Sequence, residues 1–310
     1  MKIAIVGAGA VGGYFGARLA QAGHEVTLVA RGAKLEAFRR AGVRIRTASG
    51  EFAVPIGAES DPSRVGPVDL VIFAVKTYSN PQAIPLLAPL VGPGTAVLPL
   101  QNGVEAADEI AAAIGRPPVL AGTTYIGATM VEPGVIEYVG TVRKIVFGEA
   151  FGDRVVTERV ERLRETLAAA DIQAEAAADS RIAIWEKFVF LAPVAAFTAA
   201  ARLPVGPAWA QPAFREAVAA AMAEVEALAR HAGVGVAADI VDQKMRYLDA
   251  SPPGMRSSMM VDLTSGRPLE LEALIGTVVR RGRAAGIPTP VTAALYGVLK
   301  PFEHGAPTLP

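Results

Sequence analysis

Three glycines near the start of the chain have the spacing of a phosphate-binding turn. Gly7, Gly9 and Gly12 follow the apolar run KIAIV and lead into a helical pattern. The first glycine permits a tight turn, the second lets the backbone approach a pyrophosphate, and the third lets the helix pack closely on the strand. Free N–H groups at the start of such a helix attract anions, so the pattern predicts a dinucleotide site rather than a connection that binds nothing. We expect the backbone of the whole run to contact the cofactor: Gly7, Ala8, Gly9, Ala10, Val11 and Gly12.

Arg31 stands where the type of dinucleotide is decided. It follows the second apolar run, HEVTLVA, at the position where an NAD-preferring protein carries Asp or Glu for the ribose 2′-hydroxyl. An arginine there can pair with the 2′-phosphate of NADP, and no carboxylate that would repel the phosphate lies between Arg31 and Glu36. A solvated surface charge is the alternative. The residue therefore favours NADP, as NADPH, over NAD.

Two polar residues follow later runs of the same kind. Lys76 comes after VIFAV, and Asn102 comes after AVLPLQ. Ligands of open α/β sheets bind beyond the carboxyl ends of the strands, so both side chains are candidates for contacts with cofactor or substrate. A surface charge for Lys76 and an Asn-Gly turn for Asn102 are equally compatible with the residues alone.

The first half of the chain has the pattern of a parallel sheet that would place these residues at one edge. The runs KIAIV, HEVTLVA, VDLVIFAV, TAVLPL and VLAGTTYI predict strands separated by helical periodicity, which is typical of an α/β fold with a Rossmann-type doubly wound sheet. The segment 134–147 predicts two short antiparallel strands joined near Gly140, and a helix is expected over about 157–170.

The second half of the chain has a different period. Strand patterns stop after Asp179, and Ala-, Leu- and Glu-rich stretches predict helices over about 180–201, 212–232, 237–249, 269–285 and 289–300. This change predicts an NADP-binding Rossmann domain over 1–177 and an all-helical substrate-binding and catalytic domain over 178–310. The length of 310 residues also favours two domains.

Composition and charge exclude several classes of protein. Thirty basic and thirty acidic side chains give a net charge of zero, and no block of like charge favours nucleic acid or an anionic membrane. The longest near-apolar run, 188–201, is shorter than the ~18–20 residues that span a bilayer. Glycines interrupt the first apolar stretch, unlike a signal peptide. The chain has no cysteine, and its three histidines lack metal-ligand spacing. We expect a cytoplasmic protein without a metal, a nucleic-acid partner or a membrane.

A series of motifs over nearly the whole chain resembles the ketopantoate reductase family, the 2-dehydropantoate 2-reductases. The motifs are GAGAVGG at 7–13, Arg31, AVK at 74–76, QNG at 101–103, GTT at 122–124, IWEK at 184–187, SSMMVD at 257–262 and GRPLELE at 266–272. The resemblance implies an NADPH-dependent oxidoreductase that reduces a 2-oxo acid, 2-dehydropantoate, to pantoate, a step of pantothenate biosynthesis. It also implies that Asn102 touches cofactor and substrate and that Lys76 and Ala128 line the cofactor site.

The same resemblance implies the catalytic residues. Lys187 would be the proton donor, Ser258 would bind the substrate carboxylate, and Glu270 would help to place the lysine and the cofactor. The chemistry of the residues agrees for Lys187, because hydride addition to a carbonyl leaves an alkoxide that needs an acid. Burial could lower the pKa of this lysine toward the range useful for proton transfer, with Glu270 holding it charged. From the helix alone, Lys187 could equally reach the surface, Ser258 could cap a helix, and Glu270 could be a solvated carboxylate.

The sequence departs from the family pattern where the substrate should bind. The family usually presents asparagine four and eight residues after the lysine, where this chain has Leu191 and Ala195, and a polar residue near the position of Val205. The asparagine that commonly precedes a glycine beyond Glu270 is Ile275. A pocket without these donors should favour an apolar group, because an unpaired buried hydroxyl costs ~1–3 kcal/mol.

Three hypotheses for the function remain. The first is reduction of ketopantoate, and the second is the same hydride transfer to another 2-oxo acid with an apolar branch at C3. The third is an NADP-binding sensor without catalysis, which would need the glycines and Arg31 but not Lys187. The alanine-rich helices also suggest a homodimer packed through the helical domain. The exact substrate, the oligomeric state and any regulation are left open by the sequence.

Overall fold

The computed structural model describes residues 1–307, which form two compact units. The sheet unit contains residues 1–101 and 105–180, and the helical unit contains residues 102–104 together with the chain from Arg181 onward. The predicted domain boundary at 177/178 lies three residues before this division. The assignment of cofactor to one unit and substrate to the other stays a prediction.

Within residues 1–307, the sheet unit contains ten strands and five α-helices, and seven α-helices follow in the helical unit. The strands are Lys2–Val6 (β1), Glu25–Val29 (β2), Val43–Thr47 (β3), Gly50–Val54 (β4), Gly57–Glu59 (β5), Leu70–Phe73 (β6), Ala96–Pro99 (β7), Leu120–Glu132 (β8), Val135–Glu149 (β9) and Gln173–Ala176 (β10). The helices are Ala10–Gln21 (α1), Gly32–Ala41 (α2), Asn80–Ala83 (α3), Ala106–Ile114 (α4), Glu158–Ala169 (α5), Arg181–Ala201 (α6), Val205–Trp209 (α7), Pro212–His231 (α8), Ile240–Asp249 (α9), Ser258–Thr264 (α10), Thr277–Ala285 (α11) and Pro290–Leu299 (α12).

The main sheet is parallel and has the order β5-β2-β1-β6-β7. Strands β1, β6 and β7 are buried along nearly their whole length, as the continuous apolar runs of the sequence require. Ile3 of β1 pairs with Val26 of β2 on one side and with Leu70 of β6 on the other. The predicted Rossmann-type α/β fold is therefore confirmed, and the carboxyl ends of these strands share one edge.

A second sheet is built on a long hairpin, and here two predictions are wrong. The segment VLAGTTYI does not extend the parallel sheet, because β8 pairs antiparallel with β9 and only an isolated bridge, Val97 with Val119, continues from β7. The hairpin turns at residues 133–134, where Gly134 has φ +82°, and not at Gly140. Gly140 lies in an irregularity of β9, where the register with β8 shifts, so the glycine marked a bulge instead of a turn.

The helical unit is organised around α6. This 21-residue helix is long and apolar enough to cross a membrane, with a mean hydropathy of 1.6 over its most apolar window. However, 56% of that window is buried inside the protein. It packs against α8, α10 and α12, as a core helix does. The five predicted helices are present, although the fourth begins as a π-helical turn at Glu272–Gly276. The short helices α7 and α10 were not predicted.

Candidate active site

The glycine turn between β1 and α1 is tightly packed on two sides and open on a third. A Cβ on Gly7, whose φ is +102°, would lie 2.4 Å from the backbone nitrogen of Val75. A Cβ on Gly12 would lie 2.3 Å from the carbonyl oxygen of Gly7, whereas a Cβ on Gly9 would meet nothing within 4 Å. The first turn of α1 carries no acidic side chain. The open side of the turn at Gly9 therefore leaves room for a pyrophosphate.

Arg31 occupies the N-cap position of α2, two residues beyond the end of β2, and its side chain makes no capping hydrogen bond. Its side chain is exposed, and the first turn of α2 contains no carboxylate. Among residues 1–307 no acidic side chain forms an ion pair with it. The guanidinium is thus available for an anionic ligand at the edge of the sheet where the glycine turn lies.

Lys76 and Gln101 follow β6 and β7, which are neighbours in the parallel sheet. Lys76 precedes a short 3₁₀ turn. Gln101 was missed by the sequence analysis: its Nε2 donates to the Val75 carbonyl at 2.9 Å and to Asn80 Oδ1 at 2.6 Å. The Asn80 amide in turn donates to Glu109 Oε2. The only signal for Gln101 was its place in the QNG motif.

Ala128 lies in the outer half of β8. It pairs with Tyr138 of β9 and packs against the edge of the sheet unit's core. Ala10 and Val11 of the glycine turn pack against the same core. The role of Ala128 at a cofactor remains a prediction.

Lys187, Asn102 and Glu270 come together within the helical unit. Lys187 Nζ donates to Asn102 Oδ1 at 3.2 Å, and Asn102 Nδ2 donates to Glu270 Oε2 at 3.4 Å. Glu270 is buried, and Lys187 and Asn102 are half-buried. The amide of Asn102 therefore bridges an ammonium and a carboxylate that are far apart in the sequence. Bridging gives the amide a single orientation, with its oxygen toward the lysine.

The ammonium of Lys187 is poised for proton transfer. Burial lowers the pKa of Lys187 from 10.5 to about 8, and the negative charge of Glu270 opposes this shift. A lysine with that pKa is mostly protonated at neutral pH but releases its proton far more readily than an exposed lysine. This set, Lys187–Asn102–Glu270, has the features of a general acid with its orienting partners.

Ser258 is exposed at the first position of α10 and has no described contact with the Lys187–Asn102–Glu270 set. The alternative that Ser258 caps this helix is wrong. Its neighbour Ser257 is the cap, because the Ser257 hydroxyl accepts from Met260 N at 3.1 Å and also hydrogen bonds with Thr198. The Ser258 side chain is left on the surface of the unit.

The positions that depart from the family pattern are mostly inside the helical core. Ala195 and Ile275 are fully buried, and Val205 has 3% of its surface exposed. Leu191, one turn beyond Lys187 on α6, is only partly buried. Of these four side chains, Leu191 is the one with appreciable surface outside the core.

Comparisons with known proteins identify the family. Residues 3–152 match the family described as ketopantoate reductase PanE/ApbA, and residues 179–303 match its C-terminal family. The chain belongs to the ketopantoate reductase family. It is therefore an NADP(H)-dependent oxidoreductase.

Similar proteins cover nearly the whole of this ketopantoate reductase family member. A 2-dehydropantoate 2-reductase of Mesorhizobium japonicum is 32% identical and covers 97% of each chain. The crystal structure of a PanE/ApbA family ketopantoate reductase from Ralstonia eutropha is 35% identical, with a TM-score of 0.89 and 98% of each chain covered. The crystal structure of a 2-dehydropantoate 2-reductase from Geobacter metallireducens is 32% identical, with a TM-score of 0.90. The match covers 97% of this chain and 99% of the other.

Proposed function

We propose that the protein reduces 2-dehydropantoate to pantoate with NADPH. The observation that carries the proposal is the hydrogen-bonded set Lys187–Asn102–Glu270, which supplies an acid with a lowered pKa. Relatives named 2-dehydropantoate 2-reductase, about 30% identical over almost the full length, support this substrate.

Each residue of the set would have a separate role in carbonyl reduction. When bound, NADPH would supply a hydride to the ketone carbon, and the ketone oxygen would take a proton, so that C=O becomes CH–OH. Lys187 donates that proton from its ammonium group. Asn102 holds the ammonium by its amide oxygen, and Glu270 keeps the lysine charged until the proton is needed. Ser258 would bind the substrate carboxylate through its exposed hydroxyl.

The cofactor would lie along the glycine turn. The backbone of residues 7–12 would hold the pyrophosphate, and Arg31 would pair with the 2′-phosphate, which gives NADPH the advantage over NADH. Lys76, Ala128 and Asn102 would contact the rest of the molecule. In this proposal the sheet unit binds the cofactor and the helical unit provides the acid. We place the protein in the cytoplasm and suggest a homodimer formed through its helices.

A second substrate is favoured by one observation. The side chain of Leu191 stands on the face of α6 that carries Lys187, where an asparagine would offer a hydrogen bond. An apolar side chain there suits a 2-oxo acid whose C3 branch has no hydroxyl, because no buried polar group is then left unpaired.

A steady-state assay separates the hypotheses. The purified protein is given NADPH and a panel of 2-oxo acids that contains 2-dehydropantoate and a methyl-branched analogue without the hydroxyl. Highest kcat/KM on 2-dehydropantoate supports the first substrate, and highest kcat/KM on the analogue supports the second. NADPH binding without turnover of any member of the panel would contradict both and leave the sensor.

A further inference from the structure

The π-helical turn Glu272–Gly276 lies directly beyond Glu270 in the chain. The Leu274 N–H donates to the carbonyl of Glu270 at 3.2 Å, and the Gly276 N–H donates across five residues to Leu271 at 2.9 Å. Such turns are rare and frequently lie at functional sites. The position of the Glu270 backbone is therefore coupled to the geometry of this turn.

The segment that carries Asn102 is seated on the same turn. Gly103 has φ +96°, and a Cβ on it would lie 2.8 Å from the carbonyl oxygen of Ala273. The two backbones approach so closely that a side chain at residue 103 has no room. Because Asn102 precedes this contact directly, a shift of the turn would move Asn102 together with Glu270.

One side chain fixes the turn to the helices beside it. Glu272 Oε1 accepts from the Tyr296 hydroxyl at 2.6 Å and from Lys300 Nζ at 2.7 Å, both at the carboxyl end of α12. Its Oε2 pairs with Arg280 of α11. The carbonyl oxygen of Glu272 accepts from Thr277 Oγ1 and from Arg280, each at 3.0 Å. Side chain and backbone of one residue thus tie the turn to two helices.

The glycine that ends the turn makes this arrangement possible. A Cβ on Gly276 would lie 2.7 Å from Glu272 Oε2 and 3.0 Å from the Arg280 guanidinium. Burial raises the pKa of Glu272, but hydrogen bonds from Lys300 and Tyr296 and the nearby cations outweigh it and hold the pKa below its usual value. The carboxylate is therefore charged at neutral pH.

We propose that Glu272 is a positioning residue, which fixes the π turn and so holds Asn102 and Glu270 in their places beside Lys187. This role rests on the proposed function of Lys187 as the acid. A residue that only joined α11 to α12 would affect stability. A positioning residue also affects the proton affinity of Lys187.

The first test is Glu272→Gln, which keeps the size of the side chain and removes its charge. A loosened turn moves Glu270 away from Lys187, so the pKa of Lys187 should fall by about half a unit. The alkaline limb of the kcat/KM profile should move by the same amount, and kcat should fall about tenfold with little change in the KM for NADPH. The pKa is also measured without turnover, by NMR titration of ¹⁵N-labelled lysine side chains, with Lys187→Ala to assign the signal.

A second variant separates position from charge. Tyr296→Phe removes one hydrogen bond to Glu272 and no charge, so it should shift the titration of Lys187 in the same direction by a smaller amount. Glu226→Gln is the matched control, because it breaks a comparable ion pair with Arg230 on α8. It should leave both the titration and the profile as in the wild type.

The outcomes decide the proposal in each case. A folded Glu272→Gln variant with an unchanged Lys187 pKa overturns it, and so does a shift equal to that of Glu226→Gln. If Glu272→Gln does not fold, an unchanged titration in Tyr296→Phe overturns it. Undiminished turnover by Lys187→Ala would refute the acid role of Lys187, while the NMR titration would still report whether Glu272 positions it.

Discussion

At the scale of single residues, the proposed chemistry depends on the ammonium group of Lys187. Only the protonated form could donate a proton to the ketone oxygen, and the pKa of Lys187 is about 8. We therefore expect kcat/KM for reduction to be level below pH 8 and to fall as the pH rises through that value. Lys187→Ala should lower kcat by ~10²–10⁴ while NADPH still binds. The check is a pH–rate profile together with fluorescence titration of NADPH. Turnover within tenfold of the wild type in the folded variant would contradict the role.

Arg31 is the residue on which cofactor preference should depend. Arg31→Ala removes the cation expected to meet the 2′-phosphate, so NADPH binding should weaken by ~1.5–3 kcal/mol, the value of a hydrogen bond to a charged group. NADH binding should hardly change, because NADH has no such phosphate. Dissociation constants of both cofactors measure the effect. Equal losses for NADPH and NADH would show that Arg31 acts through the fold.

Leu191 should decide which C3 branch the substrate carries. Leu191→Asn adds a donor worth ~0.5–1.5 kcal/mol, so it should raise the preference for 2-dehydropantoate over the analogue without a hydroxyl by about 2- to 10-fold. Ala195→Asn differs, because Ala195 is fully buried in the helical core. It should destabilise the protein by ~1–3 kcal/mol instead. A wild-type preference for 2-dehydropantoate above about a hundredfold would mean that another group binds the hydroxyl.

At the scale of elements, the turn between β1 and α1 separates folding from binding. Gly7→Ala would place a methyl group 2.4 Å from a backbone nitrogen and should destabilise the protein by ~1–3 kcal/mol. Gly9→Ala meets open space, so its melting temperature should stay near that of the wild type, yet its NADPH affinity should fall because the methyl group occupies the path of the pyrophosphate. Unfolding curves and cofactor titrations of the two variants give the comparison. Wild-type affinity in Gly9→Ala would place the pyrophosphate elsewhere.

The elements also show what the sequence can and cannot predict. The period of apolar residues predicted β1, β2 and the long helices, because each buries a regular face. The β8–β9 hairpin was misread at Gly140, since a glycine at a bulge and a glycine at a turn look alike in one sequence. The role of Lys187 was implied by the resemblance to the family, because the helix alone is equally compatible with a lysine that reaches the surface. The hydrogen bonds of Gln101 and Glu272 could not be predicted, because they join segments that are distant in the sequence.

At the scale of the whole molecule, ion pairs set the response to acid. Burial raises the pKa of Glu149, but Arg159 and Thr157 hold it below its ordinary value of 4.5, and Arg143 lowers that of Asp171 below 3.8. These groups bind fewer protons when folded than when unfolded, so their stabilisation is full above those ordinary values and is lost as the pH falls through the lowered ones.

The carboxylates should therefore make the free energy of unfolding decrease below about pH 4.5. Glu149→Gln should make this decrease shallower. Glu158→Gln, which removes an exposed carboxylate with 87% of its side chain accessible, should leave the slope unchanged. Urea unfolding at a series of pH values measures both. An identical slope in Glu149→Gln and the wild type would exclude Glu149 as a source of acid sensitivity.

The membership of residues 102–104 in the helical unit limits how relatives can be recombined. A chimera joined at Ser180 would take Lys187 and Glu270 from one parent and Asn102 from the other. Gly103 must then fit the Ala273 backbone of a foreign turn. Two parents could each be active and their chimera inactive, although neither lost a single functional residue. The second half of this enzyme therefore cannot be exchanged by itself. Active chimeras should take the loop after β7 and the helices from the same parent.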